Sequence, residues 1–399
     1  MISKTHAGLR ALILAVALDA SQHAGAASGH KSEAPIPAAT LALMTAKDTA
    51  PAAPILIRTF KKEAELEVWK QDKDGRYVLL KTFPICRWSG QLGPKTAQGD
   101  RQTPEGFYSV APAQLNPNSA YHLSFDIGYP NAYDQAHGGT GSYLMVHGTC
   151  SSAGCFAMTD KGVSEIYALV REAFAGGQPA FQFQAYPFRM TAANMARYRL
   201  DPNIGFWRQM KEGSDRFEAT GEEPVIGVSA GRYMFEPAKD PEKEALAKAR
   251  RAEEESRIAA LIAKKTPAVR TAYADGGQHP SFRALTRRAS AALGQVSRPE
   301  ALALAGKDIV LGPDGLPLPT PAKTAKTACK PAAGPCPERS AEAKPAQAKS
   351  ATVKRASQTQ PPASPAKGPD PAAERPFYER FLDTFRSDPP REPGGGRRI

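Results

Sequence analysis

A chain of 399 residues is too long for one ordinary domain and long enough to bury a sizeable core. Its 36 prolines gather toward the C-terminal end, which excludes a single uniform globular unit. The formal net charge of +12 points to an anionic partner (nucleic acid, a membrane surface or an acidic polymer) without choosing among them.

The first residues narrow that choice. Lys4 and Arg10 precede the apolar run Ala11–Leu18, and Ala24-Gly25-Ala26 supplies small residues at a cleavage position. A positive start, an apolar core too short to cross a bilayer and an Ala-x-Ala site predict a secretory signal over 1–27. A folded N-terminal helix is the competing reading, and the run lacks the amphipathic period it needs. No Cys follows the run to carry a lipid, and no later stretch reaches the length of a membrane span. The expectation is an exported protein of the periplasm or cell envelope, not membrane-spanning. Export argues against nucleic acid as the partner.

Residues 28–53 are rich in Ala and Pro and read as a linker. Strand-like runs follow at Ile55–Phe60, at Ala64–Trp69 and, after an Asp74-Gly75 turn, at Tyr77–Leu80. Phe107–Val110, Ser142–Val146 and the alternating Phe181–Tyr186 continue the series. One helix stands among them. Thr159 or Asp160 caps it, Val163, Ile166, Tyr167, Val170 and Phe174 form its apolar face, and Gly176-Gly177 stops it. Many strands with one helix predict a mostly β domain over 54–188. A small α+β extension is expected over 189–237, with Thr191 capping a short helix, Trp207 anchoring an apolar cluster and Ser229-Ala230-Gly231 turning a hairpin. Residues 238–282 are charged and helix-prone. No aromatic residue occurs from Arg283 to Pro376, and 321–399 carries 15 Lys+Arg against 8 Asp+Glu. Residues 283–399 therefore read as a disordered basic tail rich in Ala, Pro and Lys.

Chemistry concentrates between Ser142 and Met158. An apolar strand delivers His147 at its end, Gly148 permits a sharp turn, and Gly154-Cys155 precedes the capped helix. A thiol becomes a nucleophile when an imidazole within hydrogen-bond reach takes its proton. Backbone N–H groups at Gly154 and Cys155 are candidate donors to an oxyanion. Two plainer readings compete. Cys86, Cys150, Cys155, Cys329 and Cys336 make an odd count, so Cys155 is either the reactive thiol left over or a disulfide partner of Cys150. A zinc site from Cys150, Cys155, His147 and His137 is the other, although its spacing is looser than zinc sites favour.

The His147-Gly148 … Ser152-Ala153-Gly154-Cys155-Phe156-Ala157-Met158 pattern resembles the catalytic motif of YkuD-type L,D-transpeptidases, and is most similar to the YafK branch. Supporting segments are Ile85–Gly90, Leu92–Lys95, Gln98–Asp100, Thr103–Val110, Pro130–Asp134, Ala136–Gly138, Tyr186–Thr191 and Gly231–Tyr233, so the likeness covers about 54–237. The resemblance implies a YkuD-type β-sandwich with a short helix at the active site, and needs no metal or organic cofactor. It implies Cys155 as nucleophile, His147 as base, the Gly148 carbonyl orienting the imidazole, and N–H groups of Gly154 and Cys155 as the oxyanion hole. His137 is the rival base. His147 is preferred because it ends an apolar strand, while His137 lies in a loop and is expected to line the cleft. Ser152, Lys95, Arg87 and Tyr133 complete the expected substrate-binding set, with Arg101 as a further cation for substrate carboxylates. Ala153 stands where the wider family commonly has a second His, as it does in the YafK branch.

The implied activity is transpeptidation of peptidoglycan stem peptides through an acyl-thioester. The alternative is hydrolysis at the same site, since that branch includes hydrolases that detach an envelope lipoprotein from diaminopimelate; such a lipoprotein is then a second partner. A reading of another class is a non-catalytic peptidoglycan-binding protein held by its basic tail. Two roles stay open for Cys150: a Cys86–Cys150 disulfide, with Cys329–Cys336 as a second pair, or reversible protection of Cys155.

Overall fold

The computed structural model describes residues 30–282 and 306–319. The expected signal over 1–27, the Cys329–Cys336 pair and the tail from residue 320 onward lie outside the described residues.

Helix α1 (Ala38–Ala46) comes first. Strands β1 (Ile55–Phe60), β2 (Glu65–Gln71), β3 (Tyr77–Pro84) and β4 (Gly106–Val110) follow, then β5 (Leu115–Asn116), β6 (Ser124–Asp126), helix α2 (Ala132–Ala136), β7 (Met145–His147), β8 (Phe156–Ala157), helix α3 (Asp160–Ala175) and β9 (Phe181–Tyr186). One sheet has the order β3-β2-β1-β9-β4 and a second β5-β6-β7-β8. From Ile55 to Tyr186 the chain is mostly β. β1 is buried along its whole length, as a central strand covered on both faces must be. The sheets share one apolar core, where Phe125 of β6 and Phe156 of β8 meet Phe183 of β9 at ring separations of 6.4 and 5.4 Å. α3 buries Val163, Ile166, Tyr167 and Val170, and the Thr159 hydroxyl accepts its Gly162 N–H at 3.1 Å.

The remaining elements are α4 (Ala192–Arg197), capped by Thr191, then α5 (Ile204–Thr220), the hairpin of β10 (Ile226–Ser229) and β11 (Arg232–Phe235), α6 (Pro241–Ala263), β12 (Ala268–Ala272) and β13 (Lys307–Leu311).

Four expectations change. Residues 28–53 do not form a free linker over their described part. α1 buries Thr40 and Met44, the Thr40 hydroxyl donates to Glu165 of α3, and a Cβ on Gly176 would come within 2.0 Å of the Ala52 carbonyl oxygen. A few well-placed contacts hold this segment, and composition does not register them. Residues 238–282 are not wholly helical, because β12 follows α6. The expected tail over 283–399 includes an ordered strand, since β13 pairs antiparallel with β12 from Ala268↔Leu311 to Ala272↔Lys307. A short strand pinned by the Arg197–Asp308 ion pair at 2.5 Å needs no aromatic residue. Ahead of β7 in the second sheet, Ser142–Leu144 is loop rather than strand, because Gly141 (φ 111°) and Tyr143 (φ 58°) leave the extended conformation.

Candidate active site

Two short parallel strands build the site. β7 and β8 pair Val146↔Phe156 and His147↔Ala157, and the Met158 N–H closes the pair on the His147 carbonyl at 2.7 Å. Cys155 immediately precedes β8, so its side chain reaches the strand that carries His147. The thiol sulfur accepts the Met145 N–H at 3.5 Å and lies 3.8 Å from the Tyr143 carbonyl oxygen. Beyond His147 the chain turns at once. Gly148 donates to the Tyr121 carbonyl at 2.9 Å, and Thr149, at φ 57°, donates to the Asp160 carboxylate at 2.8 Å. A Cβ at Gly148 would stand 2.6 Å from that carboxylate, so the turn requires glycine.

Burial and one hydrogen bond set the state of the imidazole. His147 is 3 % exposed and its Nδ1 bonds the Gly148 carbonyl. A carbonyl only accepts, so Nδ1 carries the proton and Nε2 presents a lone pair. Burial lowers the imidazole pKa from its ordinary value, against the opposing pulls of the Gly148 bond and Asp160. Burial also pushes the half-buried Cys155 thiol up to about 11, with the Met145 amide lowering it, Asp126 raising it and Lys95 lowering it. Near neutral pH the pair is therefore a neutral thiol facing a neutral imidazole.

Both line one cavity of about 360 Å³ with Lys95, Tyr121, Tyr143 and Met145. Lys95 is the expected substrate residue that this cavity receives. Its ammonium bonds Asp100 at 2.5 Å and the Ala97 carbonyl at 2.8 Å. The others go elsewhere. Ser152 is buried beneath the loop; its hydroxyl donates to the Cys155 carbonyl at 2.8 Å, accepts the Gly154 N–H at 3.2 Å and meets the Ser89 hydroxyl at 2.9 Å. The Gly154 N–H is thus engaged inside the loop rather than free for an oxyanion. Arg87 is fully buried, and its guanidinium donates to the Trp88 carbonyl at 2.6 Å and to Asp275 at 3.2 Å. His137 ends α2, where Nδ1 contacts the Tyr133 carbonyl at 2.9 Å and the ring stacks on Tyr133 at 4.2 Å. Tyr133 is itself buried between His137 and Tyr233. Neither His137 nor Tyr133 lines the Cys155 cavity. Cys150 bonds Cys86, which removes it from any zinc set and from pairing with Cys155.

Two contributors escaped the sequence reading. Tyr121, half-exposed, packs its ring 4.8 Å from the His147 imidazole. Asp275 reaches the catalytic loop through Arg101, whose guanidinium donates to the Ser152 carbonyl at 3.1 Å and to Asp275 at 2.7 Å. Neither lies in a recognisable motif, and Asp275 sits far along the chain.

Residues 56–181 match the L,D-transpeptidase catalytic domain of YkuD type. YafK of Escherichia coli strain K12, named as an L,D-transpeptidase, is 49% identical over 181 residues, which cover 45% of this chain and 73% of YafK. The same identity and coverage are found for YafK of Escherichia coli O157:H7. Among solved structures, the helical cell shape determining protein Pgp2 of Campylobacter jejuni aligns with a TM-score of 0.27 and 14% identity, covering 58% of this chain and 80% of that one. Bd1075 of Bdellovibrio bacteriovorus aligns with a TM-score of 0.23 and 15% identity, covering 57% and 77%. By its motif and its likeness to YafK, the chain belongs to the L,D-transpeptidase family with a YkuD-type catalytic domain.

Proposed function

We propose that the protein is an exported cysteine L,D-transpeptidase acting on peptidoglycan stem peptides in the cell envelope. The observation that carries this reading is the placement of Cys155 and a tautomer-fixed His147 at the ends of adjacent strands, lining one cavity with Lys95. Cys155 Sγ attacks the diaminopimelate carbonyl that precedes the terminal D-alanine. His147 Nε2 takes the thiol proton as the C–S bond forms and returns it to the departing D-alanine amine. The Cys155 N–H serves as an oxyanion donor, with the Gly154 N–H kept for the loop. Lys95 attracts a carboxylate of the stem peptide. A second amine then attacks the thioester, His147 accepts its proton, and the free thiol is regenerated with a new amide. Water in place of that amine would give a carboxylate and make the protein a hydrolase, for which an envelope lipoprotein linked to diaminopimelate is the expected substrate.

The test incubates purified protein and its Cys155→Ala variant with disaccharide-tetrapeptide and with lipoprotein-linked muropeptide, read by mass spectrometry. Cys155-dependent cross-linked dimer, or D-alanine release with amine exchange, supports transpeptidation. Release of the lipoprotein remnant without cross-linking supports hydrolysis instead. No Cys155-dependent product from either substrate would overturn both and leave the wall-binding reading.

A further inference from the structure

The segment Tyr273–Gly277 lies beyond α6 and outside the residues that match the catalytic domain, yet it packs against the Trp88–Gly90 segment. Trp88 N–H donates to the Gly277 carbonyl at 3.0 Å, and Gly277 N–H returns a bond to the Trp88 carbonyl at 3.1 Å. Gly276 N–H donates to the Gly90 carbonyl at 2.7 Å. The Tyr273 ring meets the Trp88 indole edge-on at 4.8 Å. Gly276 has φ 71°, and a Cβ there would stand 2.1 Å from the Trp88 carbonyl oxygen, so this approach requires glycine.

Asp275 uses the position this segment gives it. Its carboxylate is 4 % exposed. It bonds Arg101 at 2.7 Å and Arg87 at 3.2 Å, and accepts the Gly90 N–H at 3.3 Å. Arg101, at φ 58°, turns its guanidinium onto the Ser152 carbonyl, and Ser152 in turn bonds the Cys155 carbonyl. Arg87 adjoins Cys86, which is bonded to Cys150 at the start of the same loop. Burial pushes the Asp275 pKa up, but the Arg101 bond and the Arg87 charge outweigh it and hold the carboxyl below its ordinary value. A buried charge with these partners holds geometry well, and losing it would remove the carboxylate that Arg87 and Arg101 share.

We propose that Asp275 is a positioning residue of the catalytic centre: one buried carboxylate that tethers the nucleophile loop from Cys150 to Cys155 through Arg101 and Arg87. The inference rests on the catalytic reading for its rate consequence and on geometry alone for its effect on the loop. Asp275 touches no reacting atom. It acts through Arg101 on the main chain that aims the thiol, where a displacement of an ångström is worth a large rate factor.

The test uses three variants of the whole chain: Asp275→Asn keeps the shape and removes the charge, Asp275→Glu restores the charge, and Gly276→Ala displaces the segment with every charge in place. Folding is checked by thermal melting, and all assays are run well below the melting temperature. Turnover in Asp275→Asn and Gly276→Ala should fall in kcat by about tenfold or more, with KM for the acyl donor changing by less than about threefold. Asp275→Glu should recover part of kcat. The pH profile of Cys155 alkylation by iodoacetamide should shift in the first two variants. Unchanged kcat and an unchanged alkylation profile in folded Asp275→Asn would overturn the proposal. If the parent protein makes no Cys155-dependent product, the catalytic reading fails separately, and the alkylation profile still decides the tether: a shift upholds it and no shift sinks it.

Discussion

His147 owes its behaviour to one neighbouring carbonyl and to burial. The Gly148 bond fixes the proton on Nδ1, and burial keeps the ring neutral to lower pH than an exposed histidine. In the proposed mechanism the neutral ring is the base, so a lowered pKa widens the active range on the acid side. The rate of donor acylation should rise with pH through a midpoint below the ordinary value of about 6.5. It should then stay level through neutral and mildly alkaline pH, because the thiol titrates only near about 11. A pH–rate profile measures this; full reactivity of Cys155 at acid pH would mean a preformed thiolate–imidazolium pair instead, and a midpoint above 7 would mean that burial does not lower the His147 pKa. That Cys155 and His147 share one cavity was legible in the sequence, because a strand-end His and a Gly-Cys before a capped helix lie within ten residues. Ser152, His137, Arg87 and Tyr133, expected at the cleft, do not line the Cys155 cavity, because sequence gives a residue's chemistry but not the side of the loop it faces.

At the scale of elements, α5 supports the loop that carries Lys95 and Arg101. The fully buried Lys61–Glu105 pair, 2.9 Å apart, sits under that loop, and Lys61 also donates to the Gly93 and Thr103 carbonyls. Trp207 of α5 closes the set by donating its indole N–H to Glu105 at 2.8 Å. Trp207→Phe keeps the aromatic packing and removes that donor from a buried carboxylate. It should destabilise the protein by about 1–3 kcal/mol. Urea denaturation reads this as a lower midpoint at constant slope; an unmoved midpoint would show the bond to be idle. The long amphipathic α3 and the alternating β9 were legible because their periods are strong. α1 and β13 were not, because each is held by a few contacts to elements distant in sequence rather than by a pattern of its own.

For the whole molecule, the covalent link matters as much as the sheets. Cys86–Cys150 joins positions 64 residues apart and anchors the start of the nucleophile loop to the strand-end turn beside Trp88. A loop of this size is worth up to about 4 kcal/mol by the chain-entropy argument. Reduction, or Cys86→Ala with Cys150→Ala, should lower unfolding stability by about that amount or less and loosen Cys155. Denaturation with and without dithiothreitol measures it, and equal stability in both would show that the bond contributes nothing beyond packing. The catalytic domain's β architecture was readable from alternating strands and turn residues. The ordered C-terminal contribution was not, because its contacts span nearly two hundred residues of sequence, from Arg87 to Asp275.

That span has a bearing on how the protein comes into being. A chain made from its N-terminus presents Cys86, His147, Cys150 and Cys155 long before Asp275 and its glycines. The proposed nucleophile is thus synthesised ahead of the segment that carries Asp275. If Asp275 tethers the loop as proposed, newborn chains pass through an interval in which the motif is complete but the loop lacks its rear support, and full reactivity awaits the distant segment.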